Sequence, residues 1–242
     1  ISNGKRAAIL LNNGTFSSHK TRGLAGHVFL TLDIRKDQFR AKFHGLESYS
    51  AFPRSDNRGC FQKLREGNIL YSPATDKGNP LFTICQFACS HVSRSRDFNR
   101  DVFEKGLDSM LAHNPQAIVA CGNLTQDGLS DEIDLLYRYK TKIEEHEVPF
   151  LFVPGTRDLH PFAQEMWKEK IGSLTPTLSL KDTMYFFGVN TGANPNGHIG
   201  RSVLERIERQ FTAVEGKQIF VTVMHHSCLP VPKSNFTRMV ED

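Results

Sequence analysis

From Phe82 onward, short apolar runs alternate with longer stretches whose apolar positions recur every three or four residues. Runs of four to six apolar residues bounded by polar or turn-forming residues predict buried strands. The three-to-four periodicity predicts helices packed against them. Phe82–Phe87, Ala117–Cys121, Phe150–Val153, Met184–Asn190 and Ile219–Met224 are the strands on this reading. Asp101–His113, Asp131–Glu145, Phe162–Ile171 and Ser202–Ala213 are the helices, with Asn99 or Asp97 capping the first. Ser130 opens the second, with a capping contact from a downstream carboxylate. Strand and helix in alternation predict an α/β fold. The segments 82–87, 117–121, 150–153 and 219–224 are near-continuously apolar, which predicts neighbouring strands buried on both faces.

The first 46 residues follow a different pattern. Ala7–Leu11, Val28–Ile34 and Gln38–His44 read as strands, the last two joined at Arg35-Lys36-Asp37 into a β-hairpin with no helix between. Such a hairpin must bury its apolar positions against something larger, and we expect it to pack into the main sandwich. Residues 47–80, with Pro53, Pro73 and Pro80 among Gly, Ser, Asp and Asn, read as a linker. The domain organisation expected is thus a hairpin segment (1–46), a linker (47–80) and an α/β core (81–242).

Composition narrows the class only a little. Across 242 residues, 39% are hydrophobic and 23% charged, ordinary for a globular chain. A net charge of +4 is compatible with phosphate-bearing ligands but does not indicate a nucleic-acid binder. No apolar run approaches the roughly 20 residues needed to span a bilayer. The five cysteines are Cys60, Cys85, Cys89, Cys121 and Cys228. Their odd number, with two inside strand-like runs, points to reduced thiols and a cytoplasmic location. The chain opens on Ile1 and stops at Asp242 as a helix begins, so a piece of a longer or rearranged chain is expected.

Chemistry enters where the strands end, because loops at the carboxyl ends of an α/β sheet converge on one another. Four such ends read Cys89-Ser90-His91, Gly122-Asn123-Leu124-Thr125-Gln126-Asp127-Gly128, Gly155-Thr156-Arg157-Asp158 and His225-His226. In order and spacing these resemble the motif blocks of the calcineurin-like metallophosphoesterases, including their cyclic-nucleotide phosphodiesterase-like branch: Asp-x-His, Gly-Asp-x-x-x-x-Gly, Gly-Asn-His-Asp or Glu, and a strand ending in His-His. The resemblance covers roughly residues 81–232. It implies an α/β sandwich of two sheets flanked by helices, and a binuclear metal centre hydrolysing phosphoesters. The family's last block, Gly-His-x-His, is not found. Gly197-His198-Ile199-Gly200 precedes the final helix and strand and lacks the second His, so it reads as a polar loop. The segment Ile9–Thr15, followed by the hairpin, resembles the part of the family that follows that block.

The resemblance maps the first-metal carboxylate onto Cys89, the bridging carboxylate onto Asn123, the Asn ligand onto Thr156 and the phosphate-facing His onto Arg157. It keeps His91 and His225 as metal ligands. Replacing two carboxylates and adding an arginine moves the pocket by about three positive charges, which opposes placing two divalent ions there. A binuclear centre is therefore not expected. Cys89, His91 and His225, with Asn123 or water, make a softer set for a single Zn or Mn; alternatively they are a loop thiol and two cleft imidazoles. Arg157 is the candidate catalytic residue and, with His226, the candidate phosphate contact; a salt bridge to Asp158 is its other use. Two functions follow. One is a catalytically impaired member acting as a phosphate-ligand-binding or scaffold protein. The other is an active phosphoesterase or phosphodiesterase using one metal, or ligands from a self-associated partner chain. The partners expected are a phosphate-bearing small molecule or a protein, with no membrane.

Overall fold

The computed structural model describes residues 29–34, 39–44, 82–95, 98, 100–181, 183–194, 197–213 and 219–226. Five strands make the first sheet: β1 (Phe29–Ile34), β2 (Phe39–His44), β3 (Phe82–Phe87), β4 (Ala117–Cys121) and β5 (Phe150–Val153), in the order β2-β1-β3-β4-β5. The hairpin β1–β2 is antiparallel, and β1 lies antiparallel to β3, with Leu32 opposite Ile84. The hairpin thus extends the main sheet. Parallel pairing then runs from β3 through β4 to β5. The intervening helices are α1 (Arg100–Ala112) and α2 (Ser130–Glu145), the crossovers that parallel strands require.

A second sheet holds β6 (Thr177–Leu180), β7 (Met184–Val189) and β8 (Ile219–Met224), in that order. β6 is antiparallel to β7, and β7 is parallel to β8 across helix α4 (Arg201–Ala213). Residues 219–224 were expected beside the other three apolar strands. They are instead an edge of the other sheet, with Val223 alone in the strand fully buried. The reason is local: β7, α4 and β8 form their own β-α-β unit, so β8 pairs with its sequence neighbour.

Alternation along the strands builds three apolar layers. Phe82, Ile84, Val119, Leu151 and Val153 face Leu180, Met184, Phe186 and Val223, forming the core between the sheets. Cys85, Phe87, Ile118, Ala120 and Phe152 point the other way, into α1 and α2 through Phe103, Leu107, Ile133, Leu136 and Tyr139. Phe187 and Val189 turn outward beneath α4, where Val203 and Ile207 meet them. The molecule is therefore a mixed α/β structure of two sheets flanked by helices. Period-two strands with both faces covered produce that layering directly.

The helices fall within a residue or two of their expected bounds, with two differences. Leu129, not Ser130, holds the cap position of α2, and Glu132 Oε2 accepts from the N–H of Leu129 and of Asp127. The expected helix 162–171 is α3 (Ala163–Met166) continued by a π-turn (Trp167–Ile171), ending at Gly172. The strand expected at 7–11 and the linker 47–80 lie outside the described residues. Among the described residues no helix is long and apolar enough to cross a membrane.

Candidate functional site

Three loops leave the carboxyl ends of β3, β4 and β5, and the backbones of the first two continue the parallel pairing. Cys89 N–H donates to Gly122 O at 2.9 Å, His91 N–H to Asn123 O at 3.1 Å and Val92 N–H to Leu124 O at 2.7 Å. Three non-glycine residues in this short stretch adopt left-handed backbone: Cys89 (φ 52°), His91 (φ 49°) and Asn123 (φ 51°). For an L-residue that conformation costs about 1–2 kcal/mol. It persists only where surrounding contacts fix it, a condition that favours functional loops.

The third loop locks onto the second through Asn123. Its Oδ1 accepts the Arg157 N–H at 3.0 Å and the Thr156 hydroxyl at 3.4 Å. Gly155 lies so close that a Cβ there would stand 2.4 Å from Asn123 N and 2.6 Å from Asn123 Oδ1. Beneath this contact is Asp158, fully buried. Its carboxylate accepts from Leu124 N (3.1 Å), Thr125 N (2.7 Å), Thr125 Oγ1 (2.7 Å) and Gly155 N (2.7 Å). Burial nevertheless raises its pKa above the ordinary carboxylate range, against those four donors.

From the second sheet, β8 delivers its histidines across the sandwich. His225 Nδ1 lies 3.2 Å from Cys121 O, and a Cβ on Gly122 would meet that nitrogen at 2.5 Å. A carbonyl only accepts, so the contact places the proton on Nδ1 and leaves Nε2 as the basic nitrogen. His226 turns inward and is buried. Thr191 Oγ1 bonds its Nδ1 at 2.9 Å and its N–H at 3.2 Å, and Gly197 packs on its ring.

The positions singled out in the sequence thus converge on three neighbouring loops plus the end of β8. Cys89, Asn123, Thr156 and Arg157 are linked by the contacts above, and His225 abuts Gly122. Arg157, however, sends its guanidinium away from Asp158: Nη1 donates to Gln126 O and to Asp127 Oδ1, both at 2.9 Å. The ion pair is with Asp127, because Asp158 is enclosed by backbone donors. Among the described residues, no three His, Cys, Asp or Glu side chains are grouped so as to hold a metal ion. Cys89, His91 and His225 do not form a three-donor set, and the nearby carboxylates are engaged elsewhere. The donor set does not fit the metal centre that the resemblance implies.

Sequence reasoning missed the loop after β7. Asn190 Oδ1 accepts from Gly192 N at 3.0 Å and Ala193 N at 3.2 Å, turning the chain so that Gly192 meets Gly155. A Cβ on Gly192 would lie 2.4 Å from Gly155 C. The available signal was Asn-Thr-Gly at the end of the fourth apolar run. The loop Gly197–Gly200, read as merely polar, in fact covers His226 and buries Ile199. Gln86 and Cys121 add a polar pair between the sheets, with Gln86 Nε2 3.1 Å from the thiol.

No family model matches the sequence, and no curated protein matches it. Among solved structures the fold is similar to that of a dimetal phosphatase from Danio rerio, at 14% identity and a TM-score of 0.49. That likeness covers 62% of this chain and 71% of the phosphatase. At such levels it carries no argument about what this chain does.

Proposed function

We propose that this chain is a metallophosphoesterase-like protein that binds a phosphate-bearing ligand at the strand ends and hydrolyses it poorly or not at all. The observation that carries the reading is the engagement of Asn123. A residue that stands where a bridging carboxylate is needed is neutral, and its Oδ1 already accepts from Arg157 N and Thr156 Oγ1. Two-metal hydrolysis requires anionic oxygen ligands to hold the ions and to position water. Asp127 is paired with Arg157 and Asp158 is saturated by four donors, so neither supplies them.

Phosphate binding needs no metal. Imidazole and guanidinium N–H groups suffice when they sit in a sheltered cleft. Arg157 and Asp127 have side chains 40% and 56% exposed, and an ion pair that open contributes at most about 1 kcal/mol. An arriving phosphate therefore competes for Arg157 at little cost. His226 would have to leave Thr191 to take part.

One observation favours the alternative, an active enzyme using a single metal or ligands from a second copy. The Cys121 contact gives His225 the tautomer that a metal-bound histidine uses, with Nε2 free of its proton. Metal analysis separates the two readings. We expect the purified chain to carry well under one equivalent of Mn, Fe or Zn, and the Cys89→Asp/Asn123→Asp variant to take up more. About two equivalents in the unaltered chain would refute the leading reading.

A further inference from the structure

The outer face of the second sheet carries a cation, Arg206, that makes no ion pair among the described residues. Arg206, on α4, stacks its guanidinium over the Phe187 ring, 5.0 Å from the ring centre. Its Nε and Nη2 are buried and have no hydrogen-bond partner among the described residues. The neighbouring acid on the helix, Glu205, is paired instead with Arg201 at 3.0 Å. Nε–H and Nη2–H point in the same direction, and together they are the side-on fork that grips two oxygens of one oxyanion. Leaving such donors desolvated and unpaired is costly.

The side to which the fork belongs follows from helix geometry. Val203 and Ile207 form the stripe of α4 that packs on the sheet. Phe211, on one flank of that stripe, reaches Phe220 of β8. Arg206 and Gln210 lie on the opposite flank, toward β6, and Gln210 Oε1 accepts from the Tyr185 hydroxyl at 3.0 Å. In β6, Thr177 is opposite Phe187 and Ser179 is opposite Tyr185. Directly opposed residues share a face, so both hydroxyl side chains stand on the α4 side, and both are exposed. Leu178 and Leu180 between and after them serve the inner core.

We propose that Arg206, Thr177 and Ser179 form a binding site for a phosphate group, separate from the strand-end cleft. A planar carboxylate has two oxygens and is satisfied by the fork alone. The two added hydroxyl donors match the further oxygens of a tetrahedral anion. Phe187 supplies the flat apolar floor that holds the guanidinium in plane.

Calorimetric titration of the whole chain with inorganic phosphate tests the site, with acetate as the planar comparison. Arg206→Lys keeps the charge and removes the fork; it should weaken phosphate binding by about tenfold or more. Ser179→Ala, on an exposed strand position that leaves folding intact, should weaken it by about threefold. The loss in Arg206→Lys should appear equally in the His225→Ala background, where the strand-end cleft no longer contributes. No saturable phosphate binding, equal affinity for acetate, or equal affinity in Arg206→Lys would overturn the proposal. Binding abolished by His225→Ala but kept in Arg206→Lys would also overturn it, and would assign phosphate to the strand-end cleft instead.

Discussion

His225 reaches across from the second sheet and places its Nδ1 3.2 Å from the carbonyl of Cys121 in the first. The contact works because Gly122 has no side chain and sits at φ 72°. Gly122→Ala should therefore destabilise the fold twice over, through backbone strain and through collision with the imidazole, by about 2–4 kcal/mol. In the double variant Gly122→Ala/His225→Ala the collision with the ring disappears, while the strain and the 2.7 Å approach to the Cβ of residue 225 stay. Chemical denaturation of the four proteins in this cycle should give a double-variant loss smaller than the sum of the singles. Strict additivity would mean that the two residues are not in contact.

Asp158 ties the β4 loop to the β5 loop through four donors. Asp158→Asn replaces one accepting oxygen with an amide that faces N–H groups, leaving buried donors unpaired. The expected loss is about 2–4 kcal/mol in unfolding free energy, with looser amide protection at Leu124 and Gly155 measured by hydrogen exchange. A loss under about 0.5 kcal/mol, the range of ordinary surface changes, would contradict this role.

Glu132 offers a pH test. Burial raises its pKa, with Asp127 and Asp131 adding to the effect and the two backbone N–H groups opposing it. A carboxyl raised in the folded state holds its proton more tightly there than in the unfolded chain. Its contribution is thus fully present below the unfolded pKa and is lost as pH rises through the folded one. Measured against Glu132→Gln, which keeps an accepting oxygen, the native chain should lose relative stability as pH climbs through the carboxylate range. A difference that grows with pH would reverse the assignment.

The thiols should divide by environment. Burial pushes Cys121 up to about 11, with Gln86 pulling modestly the other way, and Cys85 is enclosed in the core beneath α1. Neither should react with iodoacetamide at pH 8 in the native state, since the thiolate is the nucleophile. Half-exposed Cys89 should be labelled first of these three. Peptide mapping after brief labelling decides the order, and Cys121 modified ahead of Cys89 would contradict it.

How much of this was legible beforehand depends on whether the signal was local. The strands ending at Phe87, Cys121 and Val153 are short apolar runs with sharp polar ends, so both their existence and the loops that follow could be read. Membership of β8 could not, because apolar character does not say which sheet a strand joins; only β-α-β pairing with β7 decides that. β6 was invisible for a related reason. Thr177 and Ser179 face solvent, and four alternating residues after Pro176 resemble a loop. The placement of Cys89, Asn123 and His225 just beyond strand ends could be read from position along the chain. Arg157 choosing Asp127 over its neighbour Asp158 could not, because the three backbone N–H groups and the Thr125 hydroxyl that enclose Asp158 are a property of the folded loops.

The central claim is that the strand ends form a phosphate-binding cleft that lacks hydrolytic power. The most direct measurement is the turnover of bis(p-nitrophenyl) phosphate by the purified, unaltered chain with Mn²⁺ supplied in excess. The account predicts release of p-nitrophenol no faster than that of the His225→Ala variant. Rapid metal-dependent hydrolysis that His225→Ala or Asn123→Ala abolishes would contradict it.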